Sequence, residues 1–120
     1  MRNPLKYRLT AACEDLAVHA YLATSDFPRS ELYGLTSQIR RATVSIGSNF
    51  AEGCGRQGDR AFLPFLHQSL GSANELQFQL RVAQRLGFGT AARVAELNLE
   101  AAEVAKQIAS LISAIRRDAV

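Results

Sequence analysis

The sequence predicts an all-α protein, a single antiparallel up-and-down four-helix bundle spanning residues 1–120. Three observations carry this. Apolar residues recur at alternating three- and four-residue steps in four separate segments, the period that gathers them on one helix face. No segment alternates apolar and polar residues as a half-buried strand would. Short Gly-, Pro- and Asp-containing runs divide the segments, and short connections make successive helices antiparallel neighbours. The 120 residues suffice for one domain with its own core. Hydrophobic content is 48% with 8% aromatic and no Trp, so the core is expected to be aliphatic and Ala-rich.

The first helix is expected over 5–23, with Leu5, Leu9, Ala12, Leu16, Ala20 and Ala23 on its inner face. Asp26-Phe27-Pro28 ends it, because proline forces the preceding residue into an extended conformation. The second is expected over 35–52, with the stripe Leu35, Ile39, Ala42, Ile46 and Asn49, and Phe50 beside it. Residues 30–34 leave its start open, since they could form either its first turn or a separate one, and Gly47 is a point of expected weakness. Gly53-Cys54-Gly55-Arg56-Gln57-Gly58 breaks the chain, and Asp59 is expected to cap a third helix over 60–86. Phe62, Leu66, Ser69, Ala73, Leu76, Leu80 and Ala83 form its stripe, and Gly87 with Gly89 ends it. Thr90 is expected to cap the fourth helix, 91–117, whose seam of Val94, Leu97, Ala101, Val104, Ile108, Leu111 and Ile115 keeps three-four spacing throughout.

The chain carries a net charge of +3, and twelve of its fourteen basic residues are Arg. This balance permits nucleic-acid contact without requiring it. Guanidinium groups suit bidentate contacts to phosphate and carboxylate alike. Cys13 and Cys54 fit no disulfide framework or metal knuckle, which points to reduced thiols and a cytoplasmic setting. No signal peptide or membrane span is expected.

Catalytic constellations are missing. Gly53, Gly55 and Gly58 spell G-x-G-x-x-G, but a helix precedes them where the dinucleotide motif needs a strand, so a loop is expected. Neither His19 nor His67 follows a Glu at the three-residue spacing of bundle metal sites. Cys54 has no sequence-adjacent base. The sequence therefore reads as a non-enzyme with no cofactor and no metal. Asn49, Glu52, Asn74 and Glu75 fall on or beside the facing stripes of the second and third helices. They are expected to form a hydrogen-bonded polar layer that fixes register, with a ligand pocket as the alternative.

Basic residues come in clusters: Arg40 with Arg41, Arg56 with Arg60, Arg81 with Arg85, Arg116 with Arg117. They could track a phosphate backbone. They could equally pair with the acidic stripe Glu96, Glu100 and Glu103, or remain solvated surface. Leu63, Leu70 and Phe78 on the third helix lie off its main stripe, as do Ala102, Ala105, Ala109 and Ile112 on the fourth. These widened faces suggest subunit contacts, a broader core being the alternative.

The stretches Tyr33-Gly34-Leu35-Thr36-Ser37-Gln38-Ile39-Arg40-Arg41-Ala42 and Ser45-Ile46-Gly47-Ser48-Asn49-Phe50-Ala51-Glu52-Gly53 resemble the bacterial four helix bundle protein family. So do Phe62-Leu63-Pro64-Phe65-Leu66, Leu70-Gly71-Ser72-Ala73-Asn74-Glu75-Leu76 and Arg85-Leu86-Gly87. That family is typified by proteins encoded in intervening sequences of the 23S ribosomal RNA gene. The accessory variability determinant of diversity-generating retroelements looks like a relative. The resemblance implies a bundle that assembles as a homopentamer, with RNA or DNA and a reverse transcriptase as candidate partners. It implies nucleic-acid contact at Arg40, Arg41 and Arg85, which match the motifs, and at Arg56 in a loop where the family is commonly basic. Arg81 joins them through its own i,i+4 spacing to Arg85. Gly47 stands where the family often has proline. The expected function is an oligomeric RNA- or ribonucleoprotein-associated module. The alternative is a protein-interaction scaffold without direct nucleic-acid contact.

Overall fold

The computed structural model describes residues 4–118, with side chains from Lys6 onward. Its helices are α1 (Pro4–Ala23), α2 (Leu35–Cys54), α3 (Asp59–Leu86) and α4 (Ala91–Asp118), with a short 3-10 turn at Arg29–Glu31. Among the described residues there are no strands. α1 packs on α2, α2 on α3, α3 on α4, and α4 back on α1. The result is an antiparallel four-helix bundle, a rod of 48 × 21 × 19 Å.

The stripes meet along the axis as the spacing requires. All seven stripe residues of α3 and all seven of α4 are buried. So are Leu9, Leu16, Ala20 and Ala23 of α1, joined by Cys13, and Ile39, Ala42, Ile46 and Phe50 of α2. Leu5 lies outside the described side chains. Each fully buried Leu, Ile or Phe contributes about 1.5–3 kcal/mol relative to exposure. Phe50 and Phe62 meet as a tilted pair, ring centroids 5.7 Å apart, where α2 turns into α3.

Several helix ends differ from the sequence expectation. α2 runs on to Cys54 because Gly53 is buried against α3; a Cβ there would lie 2.5 Å from the Phe62 ring. α2 is also unbroken through Gly47. Its start is held by Glu31, whose Oε1 accepts the Leu35 amide at 3.0 Å. Asp59 does not cap α3 but is its first residue, after Gly58 at φ 83, and no side chain caps that end. Gly87, left-handed at φ 71, closes α3 as expected, and the Phe88 amide reaches back to the Ala83 carbonyl. The Thr90 hydroxyl donates to Asp26 Oδ2 at 3.0 Å, tying the α3–α4 turn to the α1–α2 linker. Phe27 and Phe88 seal the same end with centroids 5.7 Å apart.

Candidate nucleic-acid interface

The arginines divide by their partners. Arg40 is half-buried and works inside the fold: its Nε donates to Thr24 Oγ1 at 3.0 Å and its guanidinium lies 4.7 Å over the Tyr21 ring, joining α2 to the end of α1. Arg41, one residue on, is exposed. It lines a cleft of about 300 Å³ between α2 and α3 with Gln38, Glu75 and Gln79. Arg81 and Arg85 are exposed one turn apart on α3. Arg56 donates to Glu52 Oε1 at 2.8 Å and lies 4.8 Å over the Phe65 ring.

These five residues do not form one patch. Arg40, Arg41, Arg81 and Arg85 lie in the half of the rod that holds the α1–α2 linker, whereas Arg56 sits at the opposite end. At 1.5 Å per helical residue, the fifteen residues from Arg41 to Arg56 separate them by about 22 Å along the axis.

Pairing with the acidic stripe is not realised within the subunit. Among the described residues no arginine comes within ion-pairing range of Glu96, Glu100 or Glu103. Glu100 instead accepts from His19 Nδ1 at 2.8 Å across the α1–α4 groove. Glu103 accepts from Gln107 Nε2 at 3.4 Å.

The residues expected to make a polar layer are not brought together as one. Asn49 is half-buried and bonds within α2, its Nδ2 donating to the Ser45 carbonyl at 2.9 Å and to Ser45 Oγ at 3.1 Å. Glu52 is exposed on Arg56, and Asn74 and Glu75 are exposed on α3. Serines make the cross-helix contacts. Ser69 Oγ donates to the Ile46 carbonyl at 2.7 Å, and the Ser45 and Ser72 hydroxyls share a hydrogen bond at 2.8 Å. Small side chains let the two backbones approach, so the short hydroxyls reach where carboxylates would be crowded out. The signal in the sequence was Ser69, a polar residue on an otherwise apolar stripe.

Leu63 and Leu70 are half-buried against the core, while Phe78 is 61% exposed. On α4, Ala105 and Ile112 are buried, Ala109 is half-buried and Ala102 is exposed. The broader apolar exposure lies elsewhere, on α1, where Tyr7, Val18, Tyr21 and Leu22 are all about half or more exposed. Their signal was apolar residues on both faces of α1, visible at the i,i+4 pair Val18 and Leu22.

Gly53 ends α2, Gly55 follows it, and Gly58 precedes α3, so the glycine-rich run is a helix–helix turn. Burial raises the Cys13 thiol pKa from 9.0 to about 11 and also raises that of Cys54, where nearby Lys6 opposes the shift. Among the described residues no three His, Cys, Asp or Glu side chains converge as metal ligands, and no helix is long and apolar enough to cross a membrane.

An all-helical bundle whose cationic surface is built almost wholly from arginine is the class that fold and surface define. The chain belongs to the 23S rRNA-intervening sequence protein family, whose model matches residues 6–110. Its fold is similar to that of a protein of unknown function from the S23 ribosomal protein family of Bacteroides thetaiotaomicron VPI-5482. The TM-score is 0.82 at 23% identity, covering 91% of this chain and 98% of that one. No curated protein matches the chain.

Proposed function

We propose that this protein is a non-enzymatic binding module that associates with RNA or a ribonucleoprotein as a homo-oligomer, with a ring of five as the expected assembly. The observation that carries the reading is the surplus of exposed guanidiniums. Arg41, Arg81 and Arg85 have no ion-pair partner among the described residues, although the chain holds eleven acidic residues. Unpaired arginines at the surface are available to displace counterions from phosphates. The family's link to 23S rRNA genes supports RNA over other polyanions.

The test is binding of a labelled single-stranded RNA across a salt series, with particle mass measured on the same sample. A logarithmic fall in affinity with salt, at a slope of about −0.7 per neutralised phosphate, is the expected result. A salt-insensitive or undetectable interaction would overturn it.

The exposed α1 face favours a second reading, a protein-interaction scaffold whose arginines meet Glu96 and Glu100 of a neighbouring copy. On that reading, reversing Arg81 and Arg85 to Glu dissociates the particle, and Glu96→Arg with Glu100→Arg restores part of it. RNA binding by the intact particle distinguishes the two.

A further inference from the structure

The antiparallel topology brings together charges that are far apart in sequence. The start of α1, the α2–α3 turn and the end of α4 share one end of the rod. Lys6, Arg8, Arg56, Arg60, Arg116 and Arg117 all lie there, against Glu52, Asp59 and Asp118. Arg2 lies outside the described residues; the remainder of the chain has seven basic and eight acidic residues. The positive excess of this protein is therefore concentrated at one pole, while the long flanks are close to balanced.

Local contacts hold several of these cations in place. Lys6 Nζ lies 4.7 Å over the Phe62 ring, and Arg56 lies 4.8 Å over Phe65. Arg116 Nη2 donates to His67 Nε2 at 3.3 Å, linking the end of α4 to α3. Arg8, Arg60 and Arg117 are exposed and have no ion-pair partner among the described residues.

Helix electrostatics do not account for the cluster. Cations near a helix C-terminus are favoured by the macrodipole, which suffices for Arg116 and Arg117. Arg60 occupies the first turn of α3 and Lys6 the first turn of α1, where the dipole disfavours positive charge. Placement against the local field is what a binding surface produces when it is retained at some expense in stability.

We propose that this pole is where the phosphate backbone of RNA is principally held. The inference rests on the RNA-binding reading above and assigns it a location. The arginines supply forked donors to phosphate oxygens, and the strand crosses an end face about 20 Å wide, as the 21 and 19 Å extents of the rod set.

The experiment compares two charge-reversed full-length proteins with the parent, using a labelled single-stranded RNA of twenty nucleotides. The pole variant is Arg8→Glu with Arg60→Glu; the flank variant is Arg93→Glu with Lys106→Glu, two exposed cations along α4. The pole variant is expected to lose at least about tenfold in affinity and to flatten the salt slope by about 1–1.5. Its thermal midpoint should be equal or higher, because Glu at position 60 suits the start of α3. The flank variant should bind within about twofold of the parent at moderate salt, being outside the contact. Equal binding by parent and pole variant overturns the pole and leaves the RNA reading intact. No binding by the parent overturns both. Loss of affinity together with a lowered midpoint assigns Arg8 and Arg60 to packing and overturns the pole. Polyglutamate of matched charge competing as well as unlabelled RNA assigns the surface to an acidic polypeptide, which also overturns it.

Discussion

Cys13 shows how much a single position in this core can report. It is 3% exposed, and burial, the largest cause, raises its pKa from 9.0 to about 11. The folded state thus holds the thiol proton more tightly than the unfolded chain does. That contribution is complete below about pH 9 and is lost as the pH climbs towards 11. Urea midpoints measured across this window should fall more steeply for the parent than for Cys13→Ala, and parallel curves would remove the thiol from the account. Arg40 and Arg41 illustrate what one residue conceals in sequence. The two are adjacent and identical in type, yet 100° of helix rotation sends one onto Tyr21 and Thr24 and the other to the surface. Spacing alone separated neither, because the partners of Arg40, Tyr21 and Thr24, lie at and just past the end of α1, sixteen or more residues away. Glu52, Asn74 and Glu75 were placed in a core layer for the same reason. A residue beside a stripe can turn inward or outward, and only the neighbouring helix decides.

At the scale of elements, the four helices were legible because strong breakers separate them, although Gly47, Pro64 and Gly71 sit within helices without ending them. Gly87 ends α3 in the left-handed conformation, Gly55 follows the last residue of α2, and Pro28 lies in the linker after α1, where it disfavours helix. Caps were less legible: Asp59 and Thr90 had the right side chains, but one became the first helical residue and the other found Asp26. α3 carries a local cost that no contact explains. Gly71 lies in the middle of this 28-residue helix, exposed, and a Cβ there would meet nothing within 4 Å. Helix propensity makes Gly71→Ala worth about 1 kcal/mol of added stability. Chemical denaturation should show that gain. A loss instead would mean that another chain's backbone rests against this face.

On the whole molecule, the bundle buries one stripe from each helix and leaves α1 with a second. Tyr7 is 62% exposed, Val18 58% and Leu22 58%, on a helix whose opposite face already lines the core. Exposed apolar side chains of this size on one element mark a contact surface. On the proposed homo-oligomer, Val18→Glu with Leu22→Glu should bring the mass down to that of one chain while preserving the helical signal, as read by light scattering and circular dichroism. An unchanged mass would clear this face of any role in assembly. The sequence pointed to Leu63, Leu70 and Phe78 on α3 instead, because a stripe wider than expected is easier to notice than a second stripe on the far side. Leu63 and Leu70 turned out to be half-buried against the bundle's own core.

The topology carries one more consequence, and it is a matter of parity. Four antiparallel passes along the rod return the chain to the end from which it set out, so Pro4 and Asp118 lie at the same pole as Arg60. Any polypeptide joined beyond either residue, whether an affinity tag or a neighbouring domain in a fusion, emerges beside the cationic end face and can screen it. A tag set into the linker at 24–34 would project from the other end, some 40 Å away along a 28-residue helix. For this molecule, the choice of where to tether it is already a choice about which surface is left open.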